Sequence, residues 1–243
     1  MAIAERLAAA RRQRPEHHRD VQGGSARAAV FGISDGLLTN VSLILGVAGA
    51  NPAPGVVRLA GLAGLVAGAF SMGTGEYVSM RAQTELLQRE LDIEREEIRR
   101  HPVSERNELV GMYIKRGLRR EVAEEVATVL MRDPAVALDT HSREELGVDP
   151  QSLGSPMGAA FSSFTTFSFG ALAPLLPWFF TSSTRAVVAS VLVGALMSIA
   201  IGVVIAQFTG RSRVRTATRQ LLLASVAAAV TFGVGRGIGV QAS

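Results

Sequence analysis

Cysteine is absent from the 243 residues, and its absence excludes several kinds of site. Without thiols the chain can form neither disulfides nor thiolate zinc sites, and it cannot hold a cysteine-ligated iron cluster. Any metal bound by this protein must therefore be held by oxygen, imidazole or thioether ligands.

Charged side chains are scarce in one long stretch of the chain, and acidic side chains are absent from another. Residues 28–75 contain only Asp35 and Arg58, and residues 151–243 contain no Asp or Glu at all. Because a soluble globular protein spreads charge over its whole surface, these stretches are not solvated surfaces.

Five segments are apolar over the roughly 20 residues needed to cross about 30 Å of hydrocarbon. Pro, Gly, Ser and Arg punctuate the breaks between them. We predict an all-α, polytopic membrane protein with a basic segment at residues 1–25, spans one and two within 26–80, a helical insert at 81–150, and spans three to five within 151–243. The predicted spans are residues 26–50, 56–80, 157–180, 186–208 and 220–240.

The arginines predict the orientation, because short cytoplasmic loops retain Lys and Arg. One predicted side carries the basic amino-terminal segment and the arginines of residues 211–219, whereas the other has only Arg58 and Arg185 near its loops. We expect the amino terminus and the insert to be cytoplasmic. The arginine bias and the lack of a recognisable targeting segment suit a bacterial inner membrane. Contact with anionic lipid explains the net charge of +4 better than nucleic-acid binding does, so no nucleic-acid partner is expected.

The insert holds most of the acidic residues: 16 of the 21 lie within residues 85–149. We predict helices there with breaks at His101-Pro102, Gly117 and Asp133-Pro134, and a second helix that starts at a Ser104 cap. Helical spacing places three glutamates on one face and two more one turn apart on the next helix. These are Glu90, Glu94 and Glu97, and then Glu105 and Glu108. Such a cluster suits divalent cations, although Glu-rich helices with interleaved Arg are also typical of solvated faces.

Ionisable residues inside the predicted spans are functional candidates, because burying a charge in hydrocarbon is costly. Asp35 lies about ten residues into the first span, where the alternative is an interfacial carboxylate bonded to a neighbouring serine. In the second span Met72, Glu76 and Met80 share a helical face. Thioether sulfur with carboxylates favours transition metals over magnesium or calcium. Met72 is equally typical of packing.

Glycines four residues apart predict close helix contacts. Such pairs occur at Gly32 and Gly36, at Gly64 and Gly68, and at Gly154 and Gly158. They allow contact within one chain or across a dimer, and the spacing leaves both open.

The sequence resembles the vacuolar iron transporter family from residue 30 to the last span, because a series of motifs occurs in the same order. The motifs are FGISDGL at 31–37, GAFSMG at 68–73, GEYVS at 75–79, REL at 89–91, Glu94 with EEI at 96–98, ERNE at 105–108, GL at 117–118, EELG at 144–147 and the Pro-rich APLLP at 173–177.

The resemblance implies a homodimer with five spans per subunit, a pathway at the subunit interface and a three-helix cytoplasmic metal-binding domain. By motif position Asp35 and Met72 are membrane-site ligands. The domain's carboxylate ligands are Glu94, Glu97, Glu105, Glu108 and Glu145. Two positions depart from the family pattern. Gly64 stands where some members have a membrane acid, which leaves Glu76 as the nearby substitute, and His141 stands where relatives have methionine. His141 can supply imidazole, but a lone histidine is more often a surface residue.

These observations predict a transporter that exports iron(II) or manganese(II) from the cytosol by proton antiport, with zinc and cobalt as further candidate ions and no resident cofactor. No nucleotide-binding loop is present, so ATP drive is not expected. An enzyme is not expected either, because a carboxylate-bridged di-iron site would need paired Glu-x-x-His motifs. The alternative is a membrane-anchored metal-binding or sensing protein that does not transport.

Overall fold

The computed structural model describes residues 24–149 and 154–241, and within these residues it contains helices and no strand. The all-α prediction is confirmed, whereas most of the basic segment predicted at 1–25 lies outside the described residues. The helices are α1 (Gly24–Gly49), α2 (Pro54–Arg100), α3 (Pro102–Lys115), α4 (Arg120–Leu130), α5 (Pro134–Glu144), α6 (Pro156–Leu175), α7 (Pro177–Phe180), α8 (Ser183–Thr209) and α9 (Arg213–Gln241).

Four helices of the described residues, α1, α2, α8 and α9, are long and apolar enough to cross a membrane. The predicted third span corresponds to α6, whose 20 residues reach about 30 Å but include several Ser and Thr side chains that lower its hydropathy. Thr165, Thr166 and Ser168 donate hydrogen bonds to carbonyls of their own helix. Because α6 packs against α1, α2 and α8, it needs less apolar surface than a lipid-facing helix. A fifth span at α6 stays a prediction.

Glycines bring the backbones of α1 and α6 into direct contact. A Cβ added to Gly32 would lie 2.8 Å from the carbonyl oxygen of Ser163, and one added to Gly36 would lie 2.9 Å from Cα of Phe167. From the opposite side, a Cβ on Gly170 would lie 2.9 Å from the backbone nitrogen of Leu37. The first glycine pair therefore serves packing within one chain, which resolves the alternative that the sequence left open.

Helix α2 is continuous for 47 residues, or about 70 Å at 1.5 Å per residue. Its first half is apolar and its second half is charged, and the helix runs through the predicted boundary between residues 80 and 81 without a break. It ends at Arg100 because Pro102 disfavours helical dihedrals at His101. One continuous helix thus joins the apolar bundle to the acidic insert.

The acidic insert folds as the second half of α2 with α3, α4 and α5. Its apolar core is formed by four buried residues of α3 and α4: Leu109, Val110, Ala123 and Ala127. The predicted breaks are confirmed, and Gly117 adopts the left-handed φ of 98° that glycine permits.

The predicted start of α3 is wrong. The helix begins at Pro102, whose fixed φ suits the first helical position, and Ser104 lies inside the first turn without capping it.

The contact between α1 and α6 predicts a clear difference between two glycines. Gly36→Ala should lower the midpoint of thermal unfolding in detergent, because backbone atoms of Phe167 cannot move aside cheaply and overpacking costs about 1–3 kcal/mol. Gly233→Ala, at a helical position with no neighbour within 4 Å, should not lower it. Equal midpoints for the two variants would show that the contact does not carry the bundle's stability.

Candidate metal centre

Three side chains from three helices meet inside the insert. Glu94 of α2, Glu105 of α3 and His141 of α5 are 5%, 6% and 0% exposed, respectively. Each offers one donor atom, and these atoms lie within 4.8 Å of one another. Among the described residues, this is the only group of three or more His, Asp or Glu side chains close enough to share a metal ion.

The imidazole lies at the middle of the group. His141 Nδ1 is 3.1 Å from Oε1 of Glu94, 3.9 Å from Oε2 of Glu105 and 3.8 Å from Oε2 of Glu145. Glu145 follows His141 by one helical turn, and its side chain is 38% exposed, so it lies at the rim of the centre. Ligands around one transition-metal ion are about 2.1 Å from it, which limits donor pairs to separations of up to about 4.2 Å. The three distances from Nδ1 of His141 to the glutamate oxygens all satisfy that limit.

Several donor atoms of the centre are buried without a hydrogen-bond partner among the residues that the structure describes. These atoms are Oε1 of Glu94 and both ring nitrogens of His141. Buried polar atoms nearly always have such partners, and leaving one unpaired costs about 1–3 kcal/mol. The arrangement is costly for the protein alone and suits a cation that bonds to these atoms.

The surroundings also shift the protonation of the carboxylates. Burial, and then the charges of Glu145, Glu105 and other glutamates, raises the pKa of Glu94 from 4.5 to about 7. Burial followed by neighbouring carboxylates also raises the pKa of Glu105 and that of Glu145. Burial lowers the pKa of His141, against an opposing effect of Glu108. These carboxylates repel one another when ionised, and a cation placed among them would relieve that repulsion.

The five carboxylates predicted for the domain take different places. Glu94 and Glu105 lie in the centre, Glu145 lies at its rim, and Glu97 and Glu108 are exposed residues whose charges act on the buried glutamates. The predicted membership of these five in one metal site stays a prediction.

The alternative interpretation, a solvated face with paired Glu and Arg side chains, describes the outer side of α2. Glu96 pairs there with Arg99 at 2.6 Å and with Arg100, and these partners lower its pKa to about 2. The solvated-face interpretation therefore holds for the outer side of α2, and the metal-binding interpretation of the other face stays a prediction.

The expectation that His141 is a surface residue is wrong, because its side chain is fully buried. The available signal was its spacing of four residues from Glu145, which puts both side chains on one face of the chain at α5. Sequence alone could not show that this face packs against α2.

The candidate metal ligands of the membrane half contact different residues and do not meet one another. Asp35 accepts a hydrogen bond from Thr39 Oγ1 at 3.3 Å, rather than from a serine. Met72 packs against the buried cluster around Phe167, and Met80 is buried against Ala28 and Ala159. The shared face of Met72, Glu76 and Met80 thus contacts α1 and α6.

Glu76 forms an ion pair that the sequence reasoning missed. Arg27 of α1 donates to Oε1 of Glu76 at 2.9 Å. Since Arg27 precedes Asp35 by eight residues, it lies about 12 Å from Asp35 along α1. The structure brings together Glu94, Glu105, His141 and Glu145, but it places Asp35, Met72 and Glu76 against other residues. The available sign of Arg27's role was its position as the last charge before residues 28–75, which contain only Asp35 and Arg58.

Comparison with known proteins decides the family. The VIT family profile matches residues 26–236. This chain belongs to the VIT family. It is 31% identical to vacuolar iron transporter 1 of Eucalyptus grandis, over 89% of this chain and 87% of that protein. It is 30% identical to vacuolar iron transporter 1 of Arabidopsis thaliana, over 89% and 88%, and 35% identical to a vacuolar iron transporter of Acanthamoeba castellanii, over 90% and 82%.

Membership in the VIT family confirms the expected class of protein. The family consists of transporters rather than enzymes, so this VIT protein is an integral membrane protein and a metal transporter. The resemblance inferred from the ordered motifs is confirmed as well.

The raised pKa of Glu94 predicts how the metal-free VIT protein responds to pH. Stability contributed by an acid with a raised pKa is fully present below its unfolded value of 4.5 and is lost as the pH rises through about 7. The midpoint of thermal unfolding in chelator should therefore fall between pH 5 and pH 8. Glu94→Gln should flatten this fall, whereas Glu125→Gln, at an exposed position of α4, should not. An unchanged fall in Glu94→Gln would contradict the assignment.

The pair of Arg27 and Glu76 predicts non-additive substitutions. Arg27→Gln should lower the unfolding midpoint, because it leaves the Glu76 carboxylate, which is only 12% exposed, without its partner; Glu76→Gln should lower it less, because the Arg27 side chain is 67% exposed. The double variant should lose no more than the worse single variant. Additive losses would show that the two side chains act independently.

Proposed function

We propose that this VIT protein exports iron(II) or manganese(II) from the cytosol in exchange for protons. The observation that carries the proposal is the buried centre of Glu94, Glu105 and His141, with its unpaired donor atoms. Zinc and cobalt also suit this donor set. Iron enters the proposal because the related proteins bear the name of iron transporters.

The centre collects metal at the cytoplasmic mouth of the pathway. Its carboxylates attract a dication, and the partial exposure of Glu145 leaves an entrance at the rim. From there the ion passes to Asp35, Met72 and Glu76 in the membrane half. Arg27 holds Glu76 when no metal is present, and an arriving dication displaces this arginine because two cations near one carboxylate repel each other.

Proton exchange follows from the chemistry of carboxylates. With its pKa near 7, Glu94 is partly protonated at cytosolic pH, and a bound dication drives the proton off. The proton gradient then supplies the energy for export.

The functional unit in this proposal is a homodimer in a bacterial inner membrane, with the amino terminus and insert in the cytoplasm. Helix α1 leaves Phe31 58% exposed on the same face as Asp35 and the exposed Thr39. An apolar ring beside a membrane carboxylate suits a contact with a second subunit, and a pathway at that contact would run along Asp35.

A non-transporting metal sensor is the second candidate. One observation favours it: the centre is complete within the insert and takes no donor from the membrane half of α2. Asp35 and Glu76 have no evident role in that alternative, and a transport assay separates the two.

The direct test is metal uptake into proteoliposomes under an imposed pH gradient, with iron(II), manganese(II) and calcium compared. We expect iron or manganese to move with counterflow of protons, and we expect Asp35→Asn to lose at least about 90% of the rate, because it removes the only carboxylate of the first span. Glu125→Gln should transport normally. If no metal moves while the intact protein still binds it, the sensor alternative is correct. Normal transport by Asp35→Asn would overturn the proposed pathway.

A further inference from the structure

A groove lies along the outer surface of α9. It has a volume of about 820 Å³, and Leu38 of α1 forms its opposite wall. Its polar lining residues, Arg215, Thr218 and Arg219, all lie in the first two turns of α9. The rest of its lining on α9 is apolar and consists of Leu222, Leu223, Val226 and Ala227. The groove therefore has a cationic end and an apolar remainder.

The two arginines of this groove have no carboxylate partner among the residues that the structure describes. No Asp or Glu occurs in residues 151–243, which include all of α9. By contrast, Arg27 of α1 pairs with Glu76. Arg215 and Arg219 are exposed and four residues apart, so they share one face of α9. Their two positive charges are available to an anion from outside the chain.

The apolar part of the groove belongs to a surface that lipid covers. Leu222, Leu223 and Val226 are each more than half exposed, on a helix that is long and apolar enough to cross a membrane. Ala227 follows Arg215 by 12 residues, which is about 18 Å along the helix. One leaflet contributes about 15 Å of hydrocarbon, which is half of the core's thickness. The length of the groove therefore matches one leaflet, and its arginines lie at the headgroup end.

We propose that this groove binds one anionic phospholipid, with its phosphate at Arg215 and Arg219 and one acyl chain along the apolar lining. A guanidinium group donates two parallel hydrogen bonds to phosphate oxygens, which a lysine does not. Basic pockets beside membrane helices attract anionic headgroups of the cytoplasmic leaflet, and the predicted orientation places this end of α9 in that leaflet. Because Leu38 follows Asp35 by three residues, the bound lipid contacts the helix that carries the carboxylate of the first span.

Native mass spectrometry of the full-length protein in detergent measures this binding. The protein is titrated with phosphatidylglycerol and, separately, with phosphatidylcholine of the same acyl chains. We expect phosphatidylglycerol to bind more tightly. Arg215→Gln with Arg219→Gln should weaken phosphatidylglycerol binding by about 25-fold, because each basic residue near an anionic lipid surface contributes about fivefold. Phosphatidylcholine binding should fall by less. An unchanged phosphatidylglycerol affinity in this double variant would overturn the proposal.

A matched control comes from the two arginines that precede the groove. Arg211 and Arg213 lie at the same end of α9 and satisfy the topology rule equally well, but neither lines the groove. Arg211→Gln with Arg213→Gln removes the same amount of charge and should keep most of the phosphatidylglycerol affinity. Equal losses in the two double variants would mean that general surface charge attracts the lipid, which contradicts a built site.

The same spectra separate the lipid from a second copy of the chain as the occupant of the groove, because they report the number of chains in each complex. Arg215→Lys with Arg219→Lys keeps both charges and should bind phosphatidylglycerol more tightly than the Gln variant does. If the Gln variant instead loses a dimer while its phosphatidylglycerol affinity stays unchanged, the groove is a contact between chains and the lipid site is wrong.

A photoreactive lipid locates the acyl chain in the protein without any substitution, so this test decides even if the Gln variant fails to fold. Phosphatidylglycerol with a diazirine in its acyl chain should label residues 222–227 in proteoliposomes of phosphatidylcholine, as mapped by mass spectrometry of peptides. Excess unlabelled phosphatidylglycerol should displace the label more than the same excess of phosphatidylcholine does. Equal labelling along the exposed faces of α8 and α9 would show an unselective layer of lipid and overturn the proposal.

Discussion

The close backbone contact between α1 and α6 is the constraint on which the membrane half depends. Lipid tails are as apolar as the side chains, so helices in a bilayer associate through tight packing and not through the hydrophobic effect. Glycines at positions 32, 36 and 170 allow that packing. With one side of α1 committed to α6, the face that carries Phe31, Asp35 and Thr39 is left toward the outside of the single chain.

The continuity of α2 relates the metal centre to the membrane half. Glu94 follows Glu76 by 18 residues on one helix, which corresponds to about 27 Å. The two carboxylates are therefore too far apart to hold one ion, and in the proposed pathway an ion would leave the first before it reaches the second. Because no break separates them, a displacement of α2 caused by metal at Glu94 would be transmitted to the Arg27–Glu76 pair.

Much of the fold could be predicted because it depends on local signals. Long apolar stretches, Pro102, Gly117 and Pro134 determine most helix boundaries, and glutamate spacing identifies the acidic face that bears Glu94. The errors come from tertiary structure and competing local preferences. Ser104 does not cap α3, because the helix already begins at Pro102. His141 is buried because α5 packs on α2, and Arg27 finds Glu76 across two helices, neither of which spacing within one helix can reveal.

The centre formed by Glu94, Glu105 and His141 is the central claim, and anomalous X-ray diffraction tests it most directly. Crystals of the full-length protein soaked in zinc or iron(II) and measured on both sides of the metal's absorption edge would locate each bound ion. Our account predicts a strong anomalous peak between these three side chains, with Glu145 as the fourth neighbour. Peaks only at exposed acidic residues such as Glu125, with none at the buried centre, would contradict it.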